Sequence, residues 1–113
     1  EHIYATNPGL VEHWIRHWTT RIPSRAVWAQ GTSWVRKDDV TARLREIAEP
    51  VLIIHAEGDL PVPIARAYAM LEHLTDATFV KIPRSGHTSN LENPEAVNHA
   101  ILGFLDRIHG RLA

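Results

Sequence analysis

The sequence predicts an α/β fold: a parallel β-strand pair with a crossover helix and flanking helices. Three observations predict it. Pro50-Val51-Leu52-Ile53-Ile54-His55 is a short, β-branched, uninterrupted apolar run stopped by Glu57-Gly58-Asp59, the pattern of a strand covered on both faces. Ala77-Thr78-Phe79-Val80-Lys81-Ile82, closed by Pro83, gives a second strand. Between them Pro63 takes a first helical position, and Ile64, Ala67, Tyr68, Leu71 and Leu74 continue at helical spacing to about residue 74. Strand, helix and strand in this order form a βαβ unit, whose crossover is expected to be right-handed.

The remaining elements follow along the chain. Asn7-Pro8-Gly9 signals a helix start, and Leu10, Trp14, Trp18 and Ile22 then recur every four residues, with Val11 and Ile15 widening the stripe. A helix over about 9–21, ended by Pro23, is expected. Ser24 is placed to cap a second segment through about Gln30, where Gly31 is expected to break it. Asp38 to Ile47 reads as a short turn or helix that leads Leu44 and Ile47 onto the body of the protein. Asn93-Pro94-Glu95 opens the last helix, whose apolar face is Ala96, Val97, Ile101, Phe104, Leu105 and Ile108 and which ends near Gly110. All four tryptophans, Trp14, Trp18, Trp28 and Trp34, precede a later chain whose apolar content is aliphatic. That shift divides a helical segment, 1–46, from a strand-bearing one, 47–113. Two strands are marginal alone, and an apolar parallel strand needs neighbours along its edges as well as helices on its faces. The chain is therefore expected to be one part of a larger fold.

Composition narrows the function classes. At 113 residues the chain holds one domain or a piece of one, and 44% hydrophobic with 22% charged residues is the make-up of a packed protein. No apolar run approaches the ~18–20 residues of a membrane span, so no membrane partner is expected. Twelve Lys plus Arg against thirteen Asp plus Glu, net charge −1, leave no basic excess for a phosphate backbone, and nucleic acid is not an expected partner. The lack of cysteine removes disulfides, thiolate metal sites and Cys nucleophiles. Glu1-His2-Ile3-Tyr4 has no initiator Met and no basic stretch followed by an apolar run, so a start in mid-protein and a cytoplasmic location are the expectations.

Asp59 follows the first strand and His87, in Ser85-Gly86-His87-Thr88, follows the second. In a parallel sheet the two tips emerge on one edge, where reacting groups collect. A histidine, with its ordinary pKa of about 6.5, takes and returns a proton near neutral pH, and an acid on its far nitrogen fixes the tautomer. From spacing alone, a surface aspartate in a turn and a loop histidine with local hydrogen bonds remain equally open.

Other groups carry blander readings. His13 and His17 share a helix face at a spacing that suits zinc, but no third ligand accompanies them. Trp14 and Trp18 suit plain packing better than an acyl or aromatic pocket. His55 reads as a satisfied core or near-site group, and Glu92 as a helix-start charge or a support for the His87 loop. Arg43, Arg45, Arg66 and Arg84 read as solvated surface. No metal and no cofactor is expected.

From Asp39 to about Ile108 the sequence resembles the C-terminal part of an α/β-hydrolase-fold enzyme. The first block is Asp39-Val40-Thr41 through Leu44 and Ile47, then Pro50 to Asp59; the second is Ile82-Pro83-Arg84-Ser85-Gly86-His87, followed by Asn90 to Asn98 and Ile101 to Leu105. The resemblance implies the C-terminal portion of such a fold, with Asp59 as triad acid and His87 as general base, and residues 1–38 similar to the variable helical cap. It implies a serine hydrolase acting on an ester, lactone or related small-molecule acyl substrate. Its expected partner is the missing N-terminal part of the fold, or a second chain covering the sheet edge. Ala56 departs from the glycine usual after the strand, which is tolerable if its φ stays negative. The nucleophile elbow G-x-S-x-G is absent. Gly31-Thr32-Ser33-Trp34-Val35 has the right chain order but lacks the second glycine and a preceding strand, so Ser33 is expected to be a loop or cap serine and Ser85 a loop hydroxyl. The isolated chain is expected not to turn over. The competing reading is a non-catalytic binding or assembly module on the same fold fragment.

Overall fold

The computed structural model describes residues 2–112. Its centre is the expected parallel pair: β1 (Val51–Ala56) lies beside β2 (Ala77–Ile82), in register from Val51 opposite Ala77 to Ala56 opposite Ile82. Val51 N–H donates to the Asp76 carbonyl at 2.9 Å below the ladder, and Glu57 N–H donates to the Ile82 carbonyl at 3.0 Å above it. Both strands therefore end at one level.

Helices α1 (His2–Thr6), α2 (Pro8–Arg21) and α3 (Ser24–Val35) precede the sheet, with a 3₁₀ turn at Thr41–Glu46 leading into it. Asn7 caps α2, its Oδ1 accepting from Leu10 N–H at 3.1 Å, and Pro8 takes the first turn, where a missing N–H costs nothing. Helix α3 departs from expectation twice. It runs through Gly31 to Val35, because one glycine costs a helix only about 1 kcal/mol relative to alanine. Ser24 is its first helical residue and not its cap; Pro23 stands at the cap position without a side-chain bond.

The crossover helix α4 (Ala65–Leu71) is shorter than the apolar spacing suggests. Arg66 and Ala67 N–H groups bond back three residues, to Pro63 and Ile64, so the chain enters through a tight 3₁₀-like turn. Ala67 is buried and admits α4 close to the sheet, and the Tyr68 and Phe79 rings meet at 5.1 Å. A short helix α5 (Ser89–Glu92), absent from the sequence expectation as α1 is, precedes α6 (Pro94–Leu112), which continues past Gly110. Arg111 pairs with Asp76, tying the end of α6 to the base of β2.

Among the described residues the buried apolar core is Ile53, Ala56, Ala67, Ile82 and Val97, where the two strands, α4 and α6 meet. The other β1 residues are half-buried, so the strand is not covered on both faces as its sequence implies. Trp28 and Trp34 are 71% and 63% exposed, and α2 and α3 contain no buried residue. The radius of gyration, 17.0 Å, exceeds the ~13 Å of a compact domain this long. The chain makes an open shape around a small core.

Candidate active site

The level ending of β1 and β2 places two short tips side by side. Asp59 lies three residues beyond Ala56, and His87 five beyond Ile82. Gly58 N–H donates to the Ser85 carbonyl at 3.0 Å, so the tips are joined by backbone before any side chain meets. His87 Nδ1 then lies 3.1 Å from Asp59 Oδ1 and 3.0 Å from Oδ2. An ionised carboxylate only accepts, so Nδ1 carries the hydrogen and Nε2 is the ring nitrogen left for a proton from elsewhere.

Asp59 is well placed to remain ionised. Its side chain is only 8% exposed, and burial pushes its carboxyl up. Against that act the Val62 N–H, donating to Oδ1 at 2.9 Å, then the hydrogen bond and charge of His87 and the charge of His55. Together they outweigh burial and hold the group below the ordinary carboxylate value. His87 is half exposed, its side chain retaining 50% of its surface. The acid is thus sheltered and the imidazole reachable.

Glu92 supports the histidine loop from both sides. Its Oε2 accepts from Gly86 N–H and its Oε1 from Thr88 Oγ1, each at 2.6 Å, bracketing His87 by one residue each way. Asn93 Nδ2 donates to the Pro83 carbonyl at 3.2 Å and pins the start of the same loop. Arg84 holds a left-handed φ of 50°, the only positive φ among the described non-glycine residues, and lets the chain turn out of β2. Ala56 keeps a negative φ, so its methyl replaces the expected glycine without strain.

The structure separates the sequence candidates. Asp59 and His87 come together. Ser33 does not resemble an elbow serine: it lies in helix α3, and its hydroxyl donates to the Gln30 carbonyl at 2.8 Å. Ser85 is fully buried and bonds the Ile82 carbonyl at 3.2 Å. His13 and His17 stack with ring centroids 6.3 Å apart, and among the described residues no group of three His, Cys, Asp or Glu could hold a metal ion. No described helix is long and apolar enough to cross a membrane. Of the two readings of His55, the structure favours the near-site one, with Nε2 3.8 Å from Asp59 Oδ2; it is satisfied at one nitrogen only, since Nδ1–H donates to the Ala56 carbonyl at 2.9 Å, whereas Nε2 is buried with no hydrogen-bond partner among the described residues. Neither the Thr88 hydroxyl nor the Val62 N–H is among the sequence-derived candidates. Their signals are local: Thr88 stands four residues before Glu92, and Val62 three after Asp59.

A cleft of about 550 Å³ opens beside His87, walled by Ile3, Leu60, Pro61 and Thr88.

A family model of the α/β-hydrolase fold, described as TAP-like protein, matches residues 17–110. The chain belongs to the α/β-hydrolase-fold family. It is 36% identical over 64 residues to a 2-hydroxy-6-oxo-6-(2'-aminophenyl)hexa-2,4-dienoic acid hydrolase of Metapseudomonas resinovorans, covering 57% of this chain and 22% of that protein. It is 34% identical over 73 residues to a pimeloyl-[acyl-carrier protein] methyl ester esterase of Nitrosomonas europaea, covering 65% and 29% respectively. A 3-oxoadipate enol-lactonase of Acinetobacter baylyi is 32% identical over 71 residues, 63% of this chain and 26% of the lactonase. The crystal structure of a serine hydrolase involved in carbazole degradation superposes with a TM-score of 0.66 at 27% identity, covering 77% of this chain and 35% of that one. The α/β-hydrolase chain described here thus spans between a fifth and two-fifths of the length of these proteins.

Proposed function

We propose that the chain is the C-terminal portion of a serine-type α/β hydrolase acting on an ester, lactone or related acyl substrate. The observation that carries this reading is the hydrogen bond from His87 Nδ1 to both oxygens of the sheltered Asp59 carboxylate. In this reading Asp59 orients His87 and stabilises its imidazolium, and His87 Nε2 takes the proton of a serine hydroxyl as that oxygen attacks the substrate carbonyl. The same proton passes to the leaving group as the carbonyl–heteroatom bond breaks, leaving an acyl-enzyme. Water, deprotonated by His87, then releases the acid and restores the serine.

The serine belongs to the rest of the fold. Ser85 and Thr88, the hydroxyls flanking His87, are already engaged with Ile82 and Glu92. The rest of the fold also covers the unpaired edge of the sheet, and residues 1–46 contribute to a cap over the cleft. The apolar cleft walls Ile3, Leu60 and Pro61 suit the carbon part of an acyl substrate. Relatives named for a methyl ester, an enol-lactone and a hexadienoic acid support a hydrolase reading without choosing a substrate.

The test uses the protein that carries this chain with its upstream sequence. His87→Ala lowers kcat on a generic ester by on the order of 10⁶-fold while the fold is retained. Near-normal turnover would remove His87 from its role. The isolated chain is not labelled by a serine-reactive phosphonate; stoichiometric labelling at Ser33 would refute the assignment of the nucleophile to the rest of the fold.

A further inference from the structure

The Asp59 carboxylate has two imidazole neighbours. His87 Nδ1 lies 3.0 Å from Oδ2, and on the same oxygen His55 Nε2 lies 3.8 Å away. His55 leaves only 11% of its side chain exposed, and its Nε2 is buried with no hydrogen-bond partner among the described residues. We propose that His55 is a positioning residue, a second imidazole behind the triad-type carboxylate that is coupled to His87 through the oxygen they share.

The Ala56 carbonyl accepts from Nδ1, so Nδ1 of His55 keeps its hydrogen and the neutral ring presents an unprotonated Nε2. That leaves a desolvated lone pair beside an anionic oxygen. A proton on Nε2 turns the same approach into a charge-compensated contact. The situation of His87 is parallel, with its own nitrogen already bonded. One carboxylate compensates one imidazolium; a second meets a like charge across it. The two rings therefore bind protons as a pair, and His55 fixes how much of the Asp59 charge His87 can draw on. The other charged groups near His55 are accounted for. Lys81, its register partner on β2, is paired with Glu57 at 3.0 Å, and on α6 His99 and Arg107 line a groove between that helix and β2.

The catalytic meaning of this coupling rests on the proposed function, but the coupling itself is tested without turnover. Ring-nitrogen NMR of the ¹⁵N-histidine-labelled protein that carries this chain with its upstream sequence follows His55 and His87 across pH in wild type, His55→Gln, His87→Gln and Asp59→Asn. Replacing either ring by glutamine changes the protonation curve of the other, because the shared carboxylate then serves one ring alone. Asp59→Asn lowers the midpoints of both. Midpoints that stay put in both glutamine variants overturn the proposal. If His55→Gln fails to fold, Asp59→Asn decides: a His55 titration that ignores loss of the carboxylate overturns it as well. Coupled rings in a protein whose His87→Ala variant keeps its activity would uphold this inference and sink the proposed function. Uncoupled rings with activity lost would do the reverse.

Discussion

Glu92→Ala removes the two bonds that bracket His87, and its cost can be worked from their surroundings. Each bond is charge-assisted and 2.6 Å long, the class that contributes about 1.5–3 kcal/mol when buried. Gly86 is buried, so its N–H loses a carboxylate partner in a place water reaches poorly and carries most of the penalty, about 1.5–2 kcal/mol. Thr88 is half-buried, and water replaces much of its lost partner, leaving about 0.5 kcal/mol. The expected loss is about 2 kcal/mol. With a urea m-value near the middle of the range for small proteins, that lowers the unfolding midpoint by about 1 M at unchanged slope. Glu92→Gln keeps one acceptor oxygen and loses about half as much. Urea titration of the three proteins at one pH is the assay. A Glu92→Ala midpoint equal to wild type would show that the loop is held without Glu92, and the argument for Glu92 as its clamp would fail.

Three further outcomes follow from the same geometry. Asp59 is held below its ordinary value of 3.8, so the stability it contributes is present above that pH and lost as pH falls through the lower, folded-state value. Asp59→Asn therefore lies below wild type in urea midpoint at neutral pH, and the gap narrows under acid; a gap that widens there would contradict the sign. Arg84 sits at φ 50°, so Arg84→Gly relieves about 1 kcal/mol of backbone strain against a smaller entropic cost, whereas the β-branched Arg84→Val loses about 1–2 kcal/mol. Equal midpoints for the two variants would mean that the left-handed turn does not matter to stability. Ile82→Ala, at a side chain 1% exposed, costs about 2–5 kcal/mol, and thermal unfolding within a degree of wild type would place the core elsewhere.

What the sequence made legible is what local physics decides. The β-branched runs gave both strands to within a residue, and Asn7 with Pro8 gave the start of α2. The βαβ rule then brought Asp59 and His87 to one edge, because parallel strands joined by a crossover end on the same side. Helix ends were read less well. Gly31 reads as a stop for α3, but a glycine ends a helix only where a left-handed turn follows, and no described glycine has a positive φ. The left-handed position is Arg84, a residue type that gives no warning of it. Glu92 was legible as one of two alternatives, and only the coordinates choose the clamp. The second imidazole on Asp59 had its own local sign, a histidine four residues before the acid, but the turn between them had to be known before the spacing carried meaning.

The tryptophans show the opposite limit. The four-residue recurrence of Leu10, Trp14, Trp18 and Ile22 specifies helix α2 correctly, yet periodicity fixes only which side chains share a stripe, not what the stripe packs against. Trp28 and Trp34 stand largely in solvent while Asp59 and His87 are held in place by bonds within two tips. The difference is one of range. The acid and histidine need a two-strand register, the Gly58–Ser85 backbone bond and the Glu92 clamp, all of which lie between Val51 and Asn93. Covering an aromatic stripe needs a surface of comparable area, and the five buried apolar residues among those described do not extend to one. The Asp59–His87 contact is therefore a part of this fold that local bonds assemble, whereas the tryptophans of α3 stand outside the reach of its small core.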